Sequence, residues 1–361
     1  MNIRLVKLID RLLGTAVVTL LPSPAAPAGT VAGASLLIIR PGGIGDAVML
    51  APLIRTIRAA HPEITITILA ESRNSGVFPL IPGVERVLRY DRPSEFAEAL
   101  AGRYDAVIDC EQWHRMSAIV ARLVKAPLKI GFGTNQRLRM FTHALPYSQD
   151  DYEAVSFLRL ALPLGLPDPA VTVSTPFLTI PAAAAEKAAR LTERLNGRQY
   201  IVMFPGASIE ERKWGAERFR AVAEKLSECS FATVVVGGIE ERNDGERISE
   251  KTGLNLAGAT TLAETAALIG RSRLLISGDS GVLHLAAGLD IPTVSLFGPG
   301  IAAKWAPHGA HHAVIDHRLP CSPCTRFGTT PPCPRAVRCM TEITPDEVAD
   351  AALKLLTSGG L

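Results

Sequence analysis

The chain has 361 residues, of which 47% are hydrophobic and 5% aromatic, with 38 Lys and Arg against 35 Asp and Glu. This composition excludes a disordered, collagenous or dedicated nucleic-acid-binding protein, and six cysteines in a chain of this size do not make a disulfide scaffold. The net charge of +3 is small, although local basic clusters can still serve an anionic substrate. The length predicts two domains.

The first segment, residues 1–34, mixes apolar and basic residues and ends in a proline-rich linker. Its charge-free run, residues 12–21, is about half as long as a membrane-spanning helix. We predict an interfacial, membrane-associating helix whose Arg4, Lys7 and Arg11 side chains lie near anionic head groups. The alternatives are a helix packed on its own protein and a signal peptide cleaved near Ala26.

From residue 35 onward, short β-branched runs alternate with helical patterns, which predicts βαβ units. A helix over residues 47–60 is expected to bend at Pro52. An alanine-rich helix after Pro181 reaches about residue 195, and the strand pattern then begins again. The predicted strands cover residues 36–40, 64–70, 105–109, 200–204, 232–236, 274–277 and 293–297.

These patterns predict an α/β protein with two Rossmann-like domains whose parallel sheets face a central cleft. The first domain covers residues 35–180 and the second residues 181–361, including a Cys-rich loop at 320–340 and a C-terminal helix. Ligands of such sheets bind at the carboxyl ends of the strands, so the turns that follow the strands are the candidate sites.

The turn after the first strand contains Gly43, Gly45 and Asp46. The two glycines match a dinucleotide-binding fingerprint only in part, because Val48 stands where a third small residue is needed; Glu71 keeps a dehydrogenase as an alternative. Asp46 begins a helix at the ligand-binding edge of the sheet, which makes its carboxylate a catalytic candidate. A plain helix N-cap is the alternative.

The second domain opens with a small-residue turn that contains Gly206 and Ser208, followed by Lys213. Exposed amides and a nearby ammonium group suit phosphate oxygens, whereas a solvated loop is the alternative. Glu240 and Glu241 come just after the next strand. A carboxylate there can hold ribose hydroxyls, although many such acids only cap helices.

Residues 278–281 read Gly-Asp-Ser-Gly, like the nucleophile segment of serine proteases, but here they follow a buried strand and open a helix. A strand, a glycine turn and a helix N-terminus predict an anion site. His284 lies one turn after Ser280 on the same helical face. Because the chain has no D-x-D pair, we expect no catalytic metal; the helix N-terminus and Lys213 would neutralise a diphosphate instead.

Together, the segment at 38–46, the Phe-Pro-Gly-Ala-Ser turn with Lys213, and the segment at 278–287 before Phe-Gly-Pro resemble glycosyltransferase family 9. This family contains the lipopolysaccharide heptosyltransferases, and the resemblance spans about residues 36–356. It implies a GT-B fold, an inverting mechanism and a nucleotide-diphosphate sugar, usually ADP-L-glycero-D-manno-heptose.

The same resemblance implies roles for individual residues. Asp46 would be the general base and Lys213 the diphosphate contact, and Glu240 or Glu241 would approach the nucleoside ribose. The donor loop would consist of Asp279, Ser280, Gly281 and His284. We therefore expect a cytoplasmic enzyme, peripheral on the inner membrane, that modifies a lipopolysaccharide core or related anionic glycolipid. A GT-B 2-epimerase, a transferase of another sugar and an inactive membrane-associated scaffold are the alternatives.

A basic cluster around residues 128–132 is the predicted acceptor-binding region, together with Gly43 and Gly45. Arg137 and Arg139 would bind an acidic, phosphorylated, lipid-linked sugar, whereas a solvated surface is the alternative. The basic cluster consists of Lys125, Lys129, Arg137 and Arg139.

Four cysteines follow the pattern C-x₂-C-x₈-C-x₅-C: Cys321, Cys324, Cys333 and Cys339. They supply the four soft ligands of a closed tetrahedral site, so we predict a structural zinc or iron. Family 9 members that glycosylate autotransporters hold an iron through four cysteines in the corresponding region, which makes iron a candidate beside zinc. Free thiols and disulfides are the alternatives.

Overall fold

The computed structural model describes residues 10–25, 34–169 and 173–358. The chain divides into two compact units, Met1–Val173 and Ser174–Leu361, and each unit contains one six-stranded parallel sheet. The predicted α/β architecture with two Rossmann-like halves is confirmed. Arg4 and Lys7 of the predicted interfacial helix lie outside the described residues. Within the described ranges, no helix is both long enough and apolar enough to cross a membrane.

The first sheet has the strand order β3-β2-β1-β4-β5-β6. Its central strands β1 and β4 are apolar runs that are buried almost throughout, as expected for a parallel sheet covered on both faces. The strands are β1 Ser35–Ile39, β2 Thr65–Ala70, β3 Arg86–Arg89, β4 Ala106–Asp109, β5 Leu128–Phe132 and β6 His143–Leu145.

The helices of the first unit are short. A π-helical turn, Asp10–Gly14, precedes them, and 3₁₀ turns cover Ser75–Leu80, Asn135–Met140 and Leu162–Leu164. The α-helices are α1 Thr15–Leu20, α2 Ile44–Val48, α3 Ala51–Ala60, α4 Pro93–Ala101, α5 Arg115–Leu123 and α6 Glu153–Arg159.

The single bent helix predicted over residues 47–60 is wrong, because the structure has two helices there, α2 and α3. Pro52 lies in the first turn of α3. Proline has no N–H to donate, and the first turn of a helix is the place where that loss costs nothing. The chain therefore starts a new helix at the proline instead of bending an old one.

The second sheet has the strand order β12-β11-β10-β7-β8-β9. Its strands are β7 Tyr200–Phe204, β8 Ala232–Val235, β9 Gly253–Asn255, β10 Leu275–Gly278, β11 Thr293–Phe297 and β12 His312–Asp316. Its α-helices are α7 Ala182–Thr192, α8 Ala216–Glu228, α9 Arg242–Ser249, α10 Leu262–Gly270, α11 Gly281–Gly288, α12 Ala302–Trp305, α13 Arg338–Thr341 and α14 Pro345–Ser358. Its 3₁₀ turns cover Glu193–Leu195, Glu210–Arg212 and Ile239–Glu241.

The strand order reverses at one point in each sheet. In the first sheet, β1 pairs with β2 on one side and with β4 on the other. In the second sheet, β7 pairs in the same way with β8 and β10. The turns that leave two such strands diverge to opposite faces and open a crevice at the carboxyl edge, where ligands of α/β sheets bind.

The described part of the N-terminal segment packs on its own unit. The Asp10 carboxylate accepts hydrogen bonds from the backbone N–H groups of Arg115 at 2.6 Å and Met116 at 2.8 Å, so it caps α5. Although burial opposes it, hydrogen bonds from His114 and Met116 hold the pKa of Asp10 below its usual value. Val18 of α1 is fully buried in the same core.

Two members of the predicted acceptor cluster lie inside the first unit, which corrects that prediction. Arg137 is fully buried, and its Nη2 is 2.7 Å from Oδ2 of the equally buried Asp109. Lys129 donates to the carbonyl groups of Ala121 and Val124 at the end of α5, and burial, with Arg122 nearby, lowers its pKa to about 8. Arg137 and Lys129 therefore make their contacts inside the core, and neither side chain can reach an acceptor.

The buried ion pair of Arg137 and Asp109 leads to a prediction about the stability of the protein. Arg137→Met should lower the free energy of unfolding by about 3–5 kcal/mol, because it leaves the Asp109 carboxylate buried without its partner. The control is Arg139→Met at the half-buried neighbouring arginine, which should change this free energy by no more than about 0.5 kcal/mol. Urea denaturation of both variants measures the difference, and equal effects would contradict the assigned pair.

Candidate functional site

The residues selected from the sequence fall into two groups, one at the strand-order reversal of each sheet. Asp46 follows β1, whose end lies beside β4, since Ile39 pairs with Asp109. Gly206 follows β7, whose end lies beside β10, since Phe204 pairs with Ser277. Each group is described within its own unit.

Asp46 is held by a buried arginine. Nη2 of Arg40 lies 3.2 Å from Oδ1 of Asp46, and its Nη1 donates to the Cys110 carbonyl at 2.6 Å. Despite complete burial, the carboxylates of Asp46 and Glu111 raise the pKa of Arg40, which therefore stays charged. The Asp46 side chain is 22% exposed, against 3% for Arg40. Asp46 is thus the member of this ion pair that solvent and ligands can reach.

A second donor fixes the same oxygen of Asp46. Nε2 of Gln112 is 3.2 Å from Oδ1 of Asp46 and 2.6 Å from Oε1 of the buried Glu153. Tyr147 donates its hydroxyl proton to the other oxygen of Glu153 at 3.0 Å. Burial, together with Glu153 and Asp46, raises the pKa of Tyr147, so this hydroxyl remains protonated. Arg40 and Gln112 therefore both hold Oδ1 of Asp46.

The interpretation of Asp46 as a helix N-cap is wrong, because the N-cap of α2 is Gly43. Gly43 lies under the carboxylate, and a Cβ atom at this position would approach Oδ2 of Asp46 to 3.0 Å. Gly45 and Gly43 are both half-buried in the turn. Glu71, the possible ribose ligand of a dehydrogenase, instead accepts from the backbone N–H of Gly42 at 3.3 Å and from Arg73 at 2.6 Å.

In the second unit, the glycine at position 206 makes room for a carboxylate. A Cβ atom on Gly206 would lie 2.4 Å from Oε1 of Glu241, so no larger residue fits while Glu241 is in place. Glu241 also accepts from the backbone N–H of Gly238 at 2.8 Å. Of the two candidate acids, the structure brings Glu241 to this turn, whereas Glu240 and Ser208 are exposed nearby.

Arg212 and Lys213 have different environments. Trp214 is buried and donates to the Ile343 carbonyl at 3.1 Å, which anchors this segment. Nη1 of Arg212 lies 2.8 Å from Oδ2 of the buried Asp279, so the arginine joins the ends of β7 and β10. Lys213 is 40% exposed and contacts Glu210 at 2.7 Å. The hydrogen bond to Glu210 raises the pKa of Lys213, and Glu241 adds to this effect.

Helix α11 begins directly after Asp279. Ser280 is its N-cap and accepts from the backbone N–H of Leu283 at 3.3 Å, and its hydroxyl lies 2.8 Å from that of Ser277. Gly281 opens the helix and is half-buried. His284 is buried, with its ring 6.3 Å from that of Trp305. The first N–H groups of an α-helix have no acceptors within it, and the N-terminus of α11 directly follows the carboxyl end of β10.

The Cys-rich loop is attached to the turn after β11. The backbone N–H groups of Cys324 and Thr325 donate to the Pro299 carbonyl at 3.1 and 2.9 Å. All six cysteines are free thiols, so the disulfide alternative is not seen. Burial raises the pKa of Cys339 to about 11, and the thiols of Cys324, Cys333 and Cys321 add to this effect. Nonetheless, across the described ranges no three His, Cys, Asp or Glu side chains are arranged to hold a metal ion.

Sequence reasoning missed several residues of these sites, among them Arg40, Gln112 and Arg212. Arg40 ends the predicted first strand and Arg212 precedes Lys213, so both adjoin a recognised motif and that position is a usable signal. Gln112 has no local signal. It reaches Asp46 only because β4 pairs with β1.

Comparisons with known proteins agree on one family. The family model for glycosyltransferase family 9 (heptosyltransferase) matches residues 94–333. Lipopolysaccharide heptosyltransferase 3 of Escherichia coli is 26% identical to this chain over 290 residues, which are 73% of this chain and 83% of that relative.

Two solved structures share the fold. The glycosyltransferase family 9 protein of Veillonella parvula superposes with a TM-score of 0.76 at 19% identity, covering 93% of this chain and all of the other. The ADP-heptose lipopolysaccharide heptosyltransferase II of E. coli gives 0.73 at 21% identity, covering 90% of this chain and 99% of the other. Both similarities support the GT-B fold.

Proposed function

This chain belongs to glycosyltransferase family 9, and from that premise we propose that it transfers a heptose from ADP-heptose to a lipopolysaccharide core or related acceptor. The observation that carries the proposal is Asp46, a reachable carboxylate fixed by a buried arginine at the carboxyl edge of the first sheet. The names of similar proteins support the donor and the acceptor class. They do not favour a 2-epimerase, a transferase of another sugar or an inactive scaffold.

The two units have separate tasks in this proposal. The first unit binds the acceptor and supplies the base. The second unit binds the nucleotide sugar. This division follows from the groups at each sheet edge: a carboxylate with one oxygen available in the first, and cations with a helix N-terminus in the second.

Asp46 is the general base of the proposed reaction. Oδ2 of Asp46 accepts the proton of the acceptor hydroxyl while the oxygen of that hydroxyl attacks the anomeric carbon. The nucleoside diphosphate leaves from the opposite face of the sugar. The configuration at the anomeric carbon is thereby inverted. Arg40 and Gln112 are positioning residues, because their donors hold Oδ1 and aim Oδ2.

The donor diphosphate is neutralised by groups of the chain itself. Lys213, Arg212 and the N-terminus of α11 at Ser280 and Gly281 supply positive charge and N–H donors, so the step needs no catalytic metal. Asp279 holds Arg212 in position. Glu241, rather than Glu240, binds the ribose hydroxyls beside Gly206 and Ser208, and His284 packs behind the loop.

The acceptor binds to the first unit, beside the turn that carries Asp46. Gly43 and Gly45 let the acceptor approach the backbone of the turn before Asp46. Arg139 remains the half-buried cation for an anionic glycolipid, since Arg137 is buried. We propose that the enzyme works in the cytoplasm, in peripheral contact with the inner membrane, because its proposed acceptor is lipid-linked and its proposed donor is a nucleotide sugar.

Replacing the proposed base separates catalysis from binding. Asp46→Asn should lower kcat by about 10²- to 10⁴-fold, because an amide cannot accept the proton, while the affinity for ADP-heptose stays within about twofold. Transfer assays and calorimetric titration measure the two quantities. Glu63→Gln, at an exposed carboxylate of the same unit, is the control. Wild-type turnover in Asp46→Asn would reject the proposed base.

The positively charged residues of the proposed donor site lead to a second prediction. Lys213→Ala should weaken ADP binding by about tenfold or more and slow transfer, because its charge acts on the diphosphate in both ground and transition states. Arg212→Ala should weaken ADP binding as well, and should also lower the free energy of unfolding by about 3–5 kcal/mol by leaving Asp279 unpaired.

The exposed Lys187 of α7 provides the control, since Lys187→Ala should change neither property. Calorimetric titration with ADP and urea denaturation test all three variants. Unchanged ADP affinity in Lys213→Ala would remove this residue from the donor site.

We also propose that Cys321, Cys324, Cys333 and Cys339 bind one structural zinc or iron ion. Four thiols in one proline-rich loop support this, since such a loop has few other means of becoming ordered. Because the four side chains are not arranged for coordination here, the proposal requires them to move together on binding.

Elemental analysis of protein purified without chelators tests the metal proposal. Close to one equivalent of zinc or iron is expected, with loss of that metal in a variant in which all four cysteines are Ser. Less than about 0.2 equivalents in the wild-type protein would reject it, because the affinity of a four-thiolate site survives purification.

A further inference from the structure

Exposed large apolar side chains are concentrated on one part of the first unit. Nine such side chains occur in the described ranges, and seven of them belong to the N-terminal segment, α5 with the residue before its cap, and the 3₁₀ turn Asn135–Met140. We call these seven residues the α1–α5 surface. They are Leu13, Val17, Leu20, Trp113, Met116, Leu123 and Leu138.

The elements of the α1–α5 surface are packed against one another. Helix α1 contacts both α5 and the 3₁₀ turn. The Arg115 guanidinium donates to the Gln136 side chain at 2.8 Å, and Nε of Arg122 donates to the Pro22 carbonyl at 3.0 Å. Spacing aligns the exposed residues: Leu13, Val17 and Leu20 share one helical face, as do Met116 and Leu123. The seven side chains therefore belong to one folded surface.

The Lys and Arg side chains around α5 have no acidic counterparts in the same stretch of the sequence. Residues 112–149 contain no Asp or Glu and six Lys or Arg. Two of these six, Lys129 and Arg137, are buried, which leaves Arg115, Arg122, Lys125 and Arg139 at least partly accessible. The nearby acid, Asp10, is buried at the start of α5. Exposed apolar side chains beside basic residues complement an anionic lipid surface.

The α1–α5 surface also adjoins the side chains that hold Asp46. Trp113 belongs to the surface, and the preceding residue, Gln112, donates to Asp46. The loop is fixed from both sides, because Thr134 donates to the Gln112 carbonyl at 2.5 Å and Asn135 to the Trp113 carbonyl at 2.9 Å. One short loop thus carries a side chain of the polar group and a side chain of the apolar surface.

We propose that the α1–α5 surface docks on an anionic lipid bilayer, with its apolar side chains in the interfacial region and its basic side chains among the head groups. This inference rests on the proposed function, because docking on the bilayer would bring a lipid-linked acceptor to the loop that holds Asp46. It goes beyond an N-terminal anchor, since most of the surface comes from the folded unit. A second copy of the chain is the competing occupant of an apolar face, and the test separates the two.

The experiment is cosedimentation of the full chain with vesicles, without donor or acceptor. Wild-type protein should bind vesicles of phosphatidylcholine and phosphatidylglycerol mixed at about two to one, and bind pure phosphatidylcholine far more weakly. Leu20→Ser combined with Leu123→Ser should weaken binding by about tenfold for each leucine. Arg122→Gln combined with Lys125→Gln should weaken it by about 20- to 30-fold, an effect that added salt should remove.

Matched controls come from the second unit. Val314→Ser, at an exposed apolar side chain of β12, and Lys187→Gln on α7 should bind vesicles like the wild type. Thermal unfolding and ADP affinity verify that each variant is folded, because none of these residues belongs to the donor site.

Two results would overturn the inference: wild-type protein that does not bind the anionic vesicles, or surface variants that bind them like the wild type. Sedimentation equilibrium could give a third such result: a wild-type protein that forms a dimer and binds no lipid, with the dimer lost in the leucine variants. Vesicle binding by a protein that transfers no heptose would instead reject the proposed function and leave the surface intact. The two proposals can therefore fail separately.

Discussion

A buried guanidinium group determines the arrangement of the first unit. Arg40 lies at the end of the central strand β1, where a positive charge without partners would be very costly. Its charge is compensated by Asp46, Glu111 and the Cys110 carbonyl, which belong to the turns after β1 and β4. The two turns must therefore meet at the strand-order reversal. Because one of the compensating carboxylates, that of Asp46, is partly exposed, the interaction that stabilises the edge of the sheet also orients the proposed base.

The second unit uses the same principle with a different result. Arg212 and Asp279 are both largely buried and join the turns after β7 and β10. Here the carboxylate is enclosed, and the exposed charge is the neighbouring Lys213. One sheet edge thus offers a carboxylate and the other a cation. This difference matches a reaction in which one partner loses a proton and the other leaves as an anion.

Much of this organisation is predictable from the sequence, and the exceptions have physical reasons. The bounds of β7 and β11 match the predicted strands, because central parallel strands are continuous apolar runs between turn residues. The turns with Asp46 and Gly206 could be located for the same reason. Arg137 was misassigned because a cluster of basic residues carries no information about burial, which depends on Asp109 in another strand. Gln112 and Glu153 could not be predicted, since only tertiary pairing brings them together.

The close fit between Gly206 and Glu241 has a consequence for how this loop can change. The carboxylate occupies the volume that a side chain at position 206 would need, so the two positions are not independent. A side chain at 206 displaces Glu241, whereas a shorter residue at 241 leaves space that a methyl group at 206 can fill. Substitutions at these two sites should therefore be strongly non-additive. Within this fold, the residue at 241 limits which residues can be accommodated at 206.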